Sequence, residues 1–130
     1  MLGNVLVDSS FYIQRLRAGL DPFEELGTWA DECDFFTCGV VRTEVLRGVR
    51  NAKARDRMTS VFGCMLYLPA LNSTWERVER LAWELDRTGS SMQVTDLVIA
   101  VSALEADAAV LTLDSDFARI PKLRIGTTLG

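Results

Sequence analysis

Short apolar runs alternate with helical periods along the whole chain, and that alternation restricts the fold more than any other feature of the sequence. Asn4-Val5-Leu6-Val7 is an apolar, β-branched run halted by Asp8-Ser9-Ser10, residues that favour helix caps over strand interiors. A helix is predicted over residues 10–18, stopped by Gly19; Asp21-Pro22 opens a second one, with Phe23, Leu26 and Trp29 at helical spacing. Phe35-Phe36-Thr37 reads as a strand, and Val41, Val45 and Val49, at intervals of four, predict an amphipathic helix over residues 40–50. A basic helix over residues 51–62 leads to a third strand, Met65-Leu66-Tyr67-Leu68, closed by Pro69. Ser73-Thr74-Trp75-Glu76 has capping-box spacing and predicts a helix through Val78, Leu81, Ala82 and Leu85 to the Gly89 stop. A further helix over residues 95–105, a strand Ala109-Val110-Leu111-Thr112 and an edge strand Leu123-Arg124-Ile125 complete the series. Such an order implies an α/β fold with a mainly parallel sheet covered on both faces. With 130 residues and no repeat, linker or low-complexity tract, residues 1–130 make one domain.

Composition narrows the chemistry. Histidine is absent, which removes Ser-His-Asp and Cys-His catalysis and every histidine-ligated zinc site. Cys33, Cys38 and Cys64 lack Cys-x-x-Cys spacing and read as reduced, small apolar residues. No apolar run approaches the roughly 18–20 residues of a membrane span. The start lacks a basic region followed by a long apolar stretch, so a cytoplasmic protein with no membrane association is expected. Net charge is −4, which argues against coating nucleic acid through a bulk positive field. Between Arg42 and Arg57, however, six basic residues stand against two acids. That segment is either a solvated helix face or a local anion-facing surface, with Arg47, Arg50, Lys53 and Arg55 as candidate phosphate contacts.

In a parallel sheet the functional crevice lies beyond the carboxyl ends of the strands. Asp8 ends the first strand, Glu44 and Asp96 lie early in helices, and Asp114 and Asp116 follow the strand at Ala109-Val110-Leu111-Thr112, so all five can project to one end of the sheet. Each also has a structural role open to it: Asp8 as a helix cap, Asp96 against a helix dipole, Asp114 and Asp116 in a turn, Glu44 paired with Arg47. Asp96 is the least ordinary, because residues 97–104 are apolar nearly all round and mark a helix buried on most sides. A carboxylate opening such a helix is poorly hydrated unless its charge is compensated. Carboxylates sharing one site repel, and a divalent cation relieves that repulsion. Oxygen ligands alone point to magnesium or manganese, ions that serve phosphate chemistry.

The segments Val5-Leu6-Val7-Asp8-Ser9-Ser10, Glu44-Val45-Leu46-Arg47-Gly48, Val94-Thr95-Asp96-Leu97-Val98-Ile99-Ala100 and Thr112-Leu113-Asp114-Ser115-Asp116-Phe117 together resemble the PIN domain. Within it they are most similar to the VapC-type ribonuclease toxins of toxin–antitoxin pairs. The resemblance implies a three-layer α/β/α fold with about five parallel strands. It further implies an endoribonuclease using Mg2+ or Mn2+, a hydrolase that cuts transfer or ribosomal RNA to leave a 5′-phosphate and a 3′-hydroxyl. Carried onto this chain, Asp8, Glu44, Asp96 and Asp114 are the metal-binding, catalytic acids and Asp116 a more variable fifth. Ser9, Ser10 and Thr112 match small polar positions that orient the acids or their waters. Cys38 stands where a serine or threonine is common, and Leu113 where a polar or basic residue is common. A homodimer and a cognate antitoxin are implied as well, with Phe11, Tyr12, Leu16 and Phe23 as candidates for the groove that receives the antitoxin tail.

The sequence fits other carboxylate folds less well. A haloacid-dehalogenase-like phosphatase needs a second aspartate two residues after Asp8, where Ser10 stands, and a receiver domain needs a phosphoacceptor aspartate where Leu68-Pro69 ends the third strand. The alternative from another class is a catalytically silent PIN-like module that binds RNA or protein. A pure binder gains nothing from four mutually repelling acids.

Overall fold

The computed structural model describes Met1 and residues 3–130. Strand β1 (Gly3–Val7) is followed by α1 (Ser9–Arg17) and α2 (Pro22–Gly27), then β2 (Cys33–Cys38), α3 (Gly39–Leu46) and α4 (Ala52–Phe62). Next come β3 (Leu66–Leu68), α5 (Asn72–Arg87), α6 (Val94–Glu105), β4 (Ala109–Leu111), a 3₁₀ turn (Ser115–Arg119) and β5 (Ile125–Gly126). The strands form one five-stranded sheet in the order β3-β2-β1-β4-β5, and every pairing is parallel. Val5, Leu6 and Val7 point alternately to opposite faces yet all are fully buried, so helices cover both sides of the central strand. Right-handed crossovers place α1 to α4 on one face and α5 and α6 on the other, giving three layers. Among the described residues no helix is long and apolar enough to cross a membrane.

The glycine stops behave as their positions predict. Gly19 and Gly89 both have φ of +75°, and each begins a Schellman closure: Leu20 N–H returns to the Arg15 carbonyl at 2.9 Å and Ser90 N–H to the Leu85 carbonyl at 2.9 Å. Gly89→Ala is therefore expected to destabilise the fold by about 1 kcal/mol. A urea midpoint lowered at constant slope would register it.

Most boundaries shift by one or two residues from the sequence reading, as β2 does by reaching from Cys33 to Cys38, and three differences have a bearing on the packing or the sheet edge. The helix expected over residues 40–50 ends at Leu46, because Gly48 weakens its continuation and Asn51 must be extended (φ −82°, ψ 122°) for its side chain to accept from Ala54 N–H and cap α4. Helix α5 begins at Asn72, so Ser73 and Glu76 do not form the expected capping box. Thr74 does the joining: its hydroxyl accepts from Leu71 N–H at 3.2 Å and donates to Glu105 Oε1 at 2.8 Å, fastening the start of α5 to the end of α6. The last strand is Ile125–Gly126 in place of residues 123–125.

Phe11 and Tyr12, two of the candidates for a partner groove, are fully buried. Tyr12 packs edge-to-face against Phe62 at 5.3 Å and at a tilt against Phe23 at 5.4 Å between ring centroids, tying α1, α2 and α4 together. Leu16 and Phe23 do line an open, mainly apolar cleft of 410 Å³, together with Leu20 and Val61.

Candidate active site

The chain passes from β1 to β2 and β3 on one side, then returns to place β4 against the other side of β1. Strand order therefore reverses at β1, and a crevice opens beyond the carboxyl ends of β1 and β4. Asp8 sits at that point, its N–H bonded to the Leu111 carbonyl at 2.9 Å. It occupies the N-cap position of α1, but its side chain caps nothing. Instead Oδ2 accepts from Ser10 Oγ at 2.7 Å and Thr112 Oγ1 at 2.8 Å, two hydroxyls that hold a carboxylate only 2% exposed. Those hydroxyls also accept, Ser10 from Leu113 N–H at 3.0 Å and Thr112 from Asp114 N–H at 3.0 Å. The two hydroxyls are 3.2 Å apart, but their shorter contacts are to Asp8, so the carboxylate's orientation is tied to the turn after β4.

Glu44, on α3, is held from α1. Ser9 Oγ lies 2.9 Å from Glu44 Oε1 and 3.5 Å from Asp8 Oδ1, so its single proton goes to the glutamate. The ion pair with Arg47 is not formed among the described residues. Asp114 takes the turn role in part, since Oδ1 accepts from Asp116 N–H at 2.9 Å. Asp116 is paired with Arg119 at 3.3 Å.

Asp96 lies in the first turn of α6, whose residues Leu97, Val98, Ile99, Ala100, Val101, Ser102 and Ala103 are all buried. A helix dipole favours a carboxylate there, yet its pKa is pushed up from 3.8 to about 6, by burial first and then by the charges of Asp8, Asp114, Glu44 and Asp116. Burial and mutual repulsion outweigh the dipole.

Asp8, Ser9, Ser10, Glu44, Asp96 and Asp114 line one cleft of 640 Å³. Thr112 stands behind Asp8, and Asp116 is outside the lining. Among the described residues no three His, Cys, Asp or Glu side chains are close enough to enclose an ion alone. Magnesium retains several waters and needs only one or two direct carboxylates, so an all-oxygen cleft with repelling acids and one of them held half-protonated near pH 6 fits such an ion.

Gln14, Arg17 and Gln93 also line the cleft, and Arg17 is the one basic side chain that does so among the described residues. The sequence carried a signal for two of them: Ser10, Ile13, Gln14 and Arg17 follow the i, i+3, i+4, i+7 spacing of one helix face. The candidate phosphate contacts separate. Arg47 and Arg55 meet Arg42 in a second cleft, Lys53 lines a shallow depression with Asn51 and Arg57, and Arg50 lines neither.

A parallel three-layer α/β/α domain with a partly buried carboxylate cluster at its topological switch point defines the structural class. The PIN-domain profile matches residues 5–123, and the chain belongs to that family. No curated protein matches it. The fold is similar to that in VapBC2 from Rickettsia felis bound to a DNA fragment from its promoter, at TM-score 0.78 and 19% identity over 95% of this chain and 97% of that one. It is similar as well to DNA-bound VapBC from Salmonella typhimurium, at TM-score 0.76 and 20% identity over 97% and 98% of the two chains. VapC20 of Mycobacterium tuberculosis, described as a Sarcin-Ricin loop cleaving toxin, matches at TM-score 0.61 and 13% identity over 88% and 92%.

Proposed function

We propose that this protein is a magnesium- or manganese-dependent endoribonuclease and the toxin of a toxin–antitoxin pair. The observation that carries this reading is the convergence of Asp8, Glu44, Asp96 and Asp114 on one cleft, with hydroxyls placed to orient two of them. Membership of the PIN family supports it, as does likeness in fold to the VapBC assemblies and to a toxin named for cutting an RNA loop. When bound, a divalent ion would make water nucleophilic near neutral pH and offset charge on the phosphate. The chain supplies the rest. Asp8, fixed by Ser10 and Thr112, and Glu44, fixed by Ser9, form rigid walls that need no reorganisation when the phosphodiester enters. Asp96 and Asp114 close the cleft, and the Arg17 guanidinium that lines it can hold a phosphate oxygen. The antitoxin's apolar side chains would occupy the cleft of Leu16, Leu20, Phe23 and Val61, and two copies of the chain would pair as a homodimer.

Incubating the purified protein with folded transfer and ribosomal RNA tests the proposal. Cleavage that needs millimolar manganese, stops with EDTA, leaves 5′-phosphate ends and vanishes in Asp8→Asn supports it. Cleavage indifferent to EDTA, or no cleavage by a protein that nonetheless binds manganese, refutes it.

A further inference from the structure

Helix α3 divides two clefts of opposite charge. Glu44 lines the acid cleft, while Arg42, Thr43 and Arg47, on α3 or at its C-terminal cap, line a second one of 460 Å³, which Arg55 of α4 and Tyr67 of β3 complete. Three guanidiniums brought together from two helices repel one another as the carboxylates do. Among the described residues Arg42 and Arg47 have no carboxylate within 4 Å, and Arg55 has only an exposed contact with Asp56 at 3.8 Å, which contributes little. Arg42 lies over the Phe62 ring at 5.8 Å, so its position is set by the core. Tyr67 lies over the start of α3: a Cβ added at Gly39 would come within 3.1 Å of its hydroxyl, yet the residue remains 52% exposed. Half of an aromatic side chain is thus left to solvent beside three unneutralised cations.

We propose that this second cleft is a nucleotide subsite: Arg42, Arg47 and Arg55 hold a phosphate of the RNA strand, and Tyr67 stacks on its base. The proposal rests on the ribonuclease reading and adds to it where the strand goes after the acid cleft. Guanidiniums match phosphate oxygens bidentately, and exposed aromatics stack on the unpaired bases of single-stranded RNA. An acidic peptide would satisfy the arginines but gives no use for the open tyrosine face. A helix with its side chains is about 10–12 Å across. A strand with one phosphate at the acids therefore reaches the arginines within a few nucleotides, passing over α3.

The test is binding of a labelled single-stranded RNA decamer in EDTA, where no metal-dependent cleavage intrudes, across a range of salt. The triple variant Arg42→Gln/Arg47→Gln/Arg55→Gln is expected to bind roughly tenfold more weakly, with the slope of log affinity against log salt reduced by about 0.7 for each phosphate that is no longer neutralised. Tyr67→Ala is expected to weaken binding about five- to a hundredfold, while Tyr67→Phe retains it, since the ring and not the hydroxyl is used. Arg80→Gln on α5 serves as the charge control and should bind as wild type. Should the triple variant melt early, the exposed Tyr67 pair carries the test alone. Unchanged affinity and salt slope in a folded triple variant, or wild-type affinity in Tyr67→Ala, overturns the subsite. So does a triple variant that keeps RNA affinity but loses binding to a poly-glutamate peptide, which would assign the cleft to an acidic partner protein. These outcomes are independent of the nuclease reading. RNA bound through these residues but never cut leaves the subsite and removes the enzyme, whereas cutting with unaltered binding in the variants does the reverse.

Discussion

Asp96→Asn is expected to lower RNA cleavage by at least about a hundredfold while making the metal-free protein more stable. Losing a partner that merely orients a metal ligand reduces activity by about 10- to 100-fold, and the role proposed for Asp96 is that of a ligand itself. Its gain in stability follows from the same crowding. Burial and four neighbouring acids raise its pKa to about 6. An ionised carboxylate there is disfavoured at neutral pH, and after allowance for its partial exposure the asparagine relieves about 1–2 kcal/mol. Glu44→Gln and Asp114→Asn should be comparably inactive. Asp8→Asn should fold, because a single amide oxygen can accept from both Ser10 and Thr112, but it forfeits the charge. Asp116→Asn should be milder, since Asp116 faces Arg119 and not the cleft. Cleavage by a folded Asp96→Asn variant at the wild-type rate would remove Asp96 from the site.

Manganese is expected to raise the melting temperature by roughly 10 °C at a hundredfold excess over Kd, because binding to the native state alone adds about 2.7 kcal/mol. The effect has a defined pH dependence. The raised pKa of Asp96 means that between pH 4 and pH 6 the folded chain keeps a proton that the unfolded chain has released. This site therefore favours folding least above pH 6: metal-free stability falls as pH rises through that window and stays reduced beyond it. Manganese competes with that proton, so its increment should be full above about pH 6 and shrink below it. Differential scanning calorimetry at pH 5 and pH 7.5, with and without manganese, measures both. An increment independent of pH, or none at millimolar manganese, contradicts a metal site built on Asp96.

The sequence by itself determined the succession of strands and helices, the glycine stops at Gly19 and Gly89, which acids follow strands or open helices, and the exclusion of histidine chemistry, all of which are local. Alternation, helical spacing and cap residues report each segment's own burial and dihedral needs, so they survive without knowledge of neighbours. Where local signals competed, hydrogen bonding decided the boundary: Asn51's cap shortened α3, and Thr74's bond to Glu105 displaced the capping box at Ser73. The strand order β3-β2-β1-β4-β5 was decided only in three dimensions, because pairing between distant segments depends on register and crossover geometry. That order brings Thr112 to Asp8 across 104 residues, gives Ser9 to Glu44 in place of Arg47, and leaves Asp116 outside the cleft. Packing of α3 against α4 likewise divided a basic run into three arginines that converge and others that do not. Charge along a chain can be counted, but which charges face one another is fixed by the angle at which two helices meet.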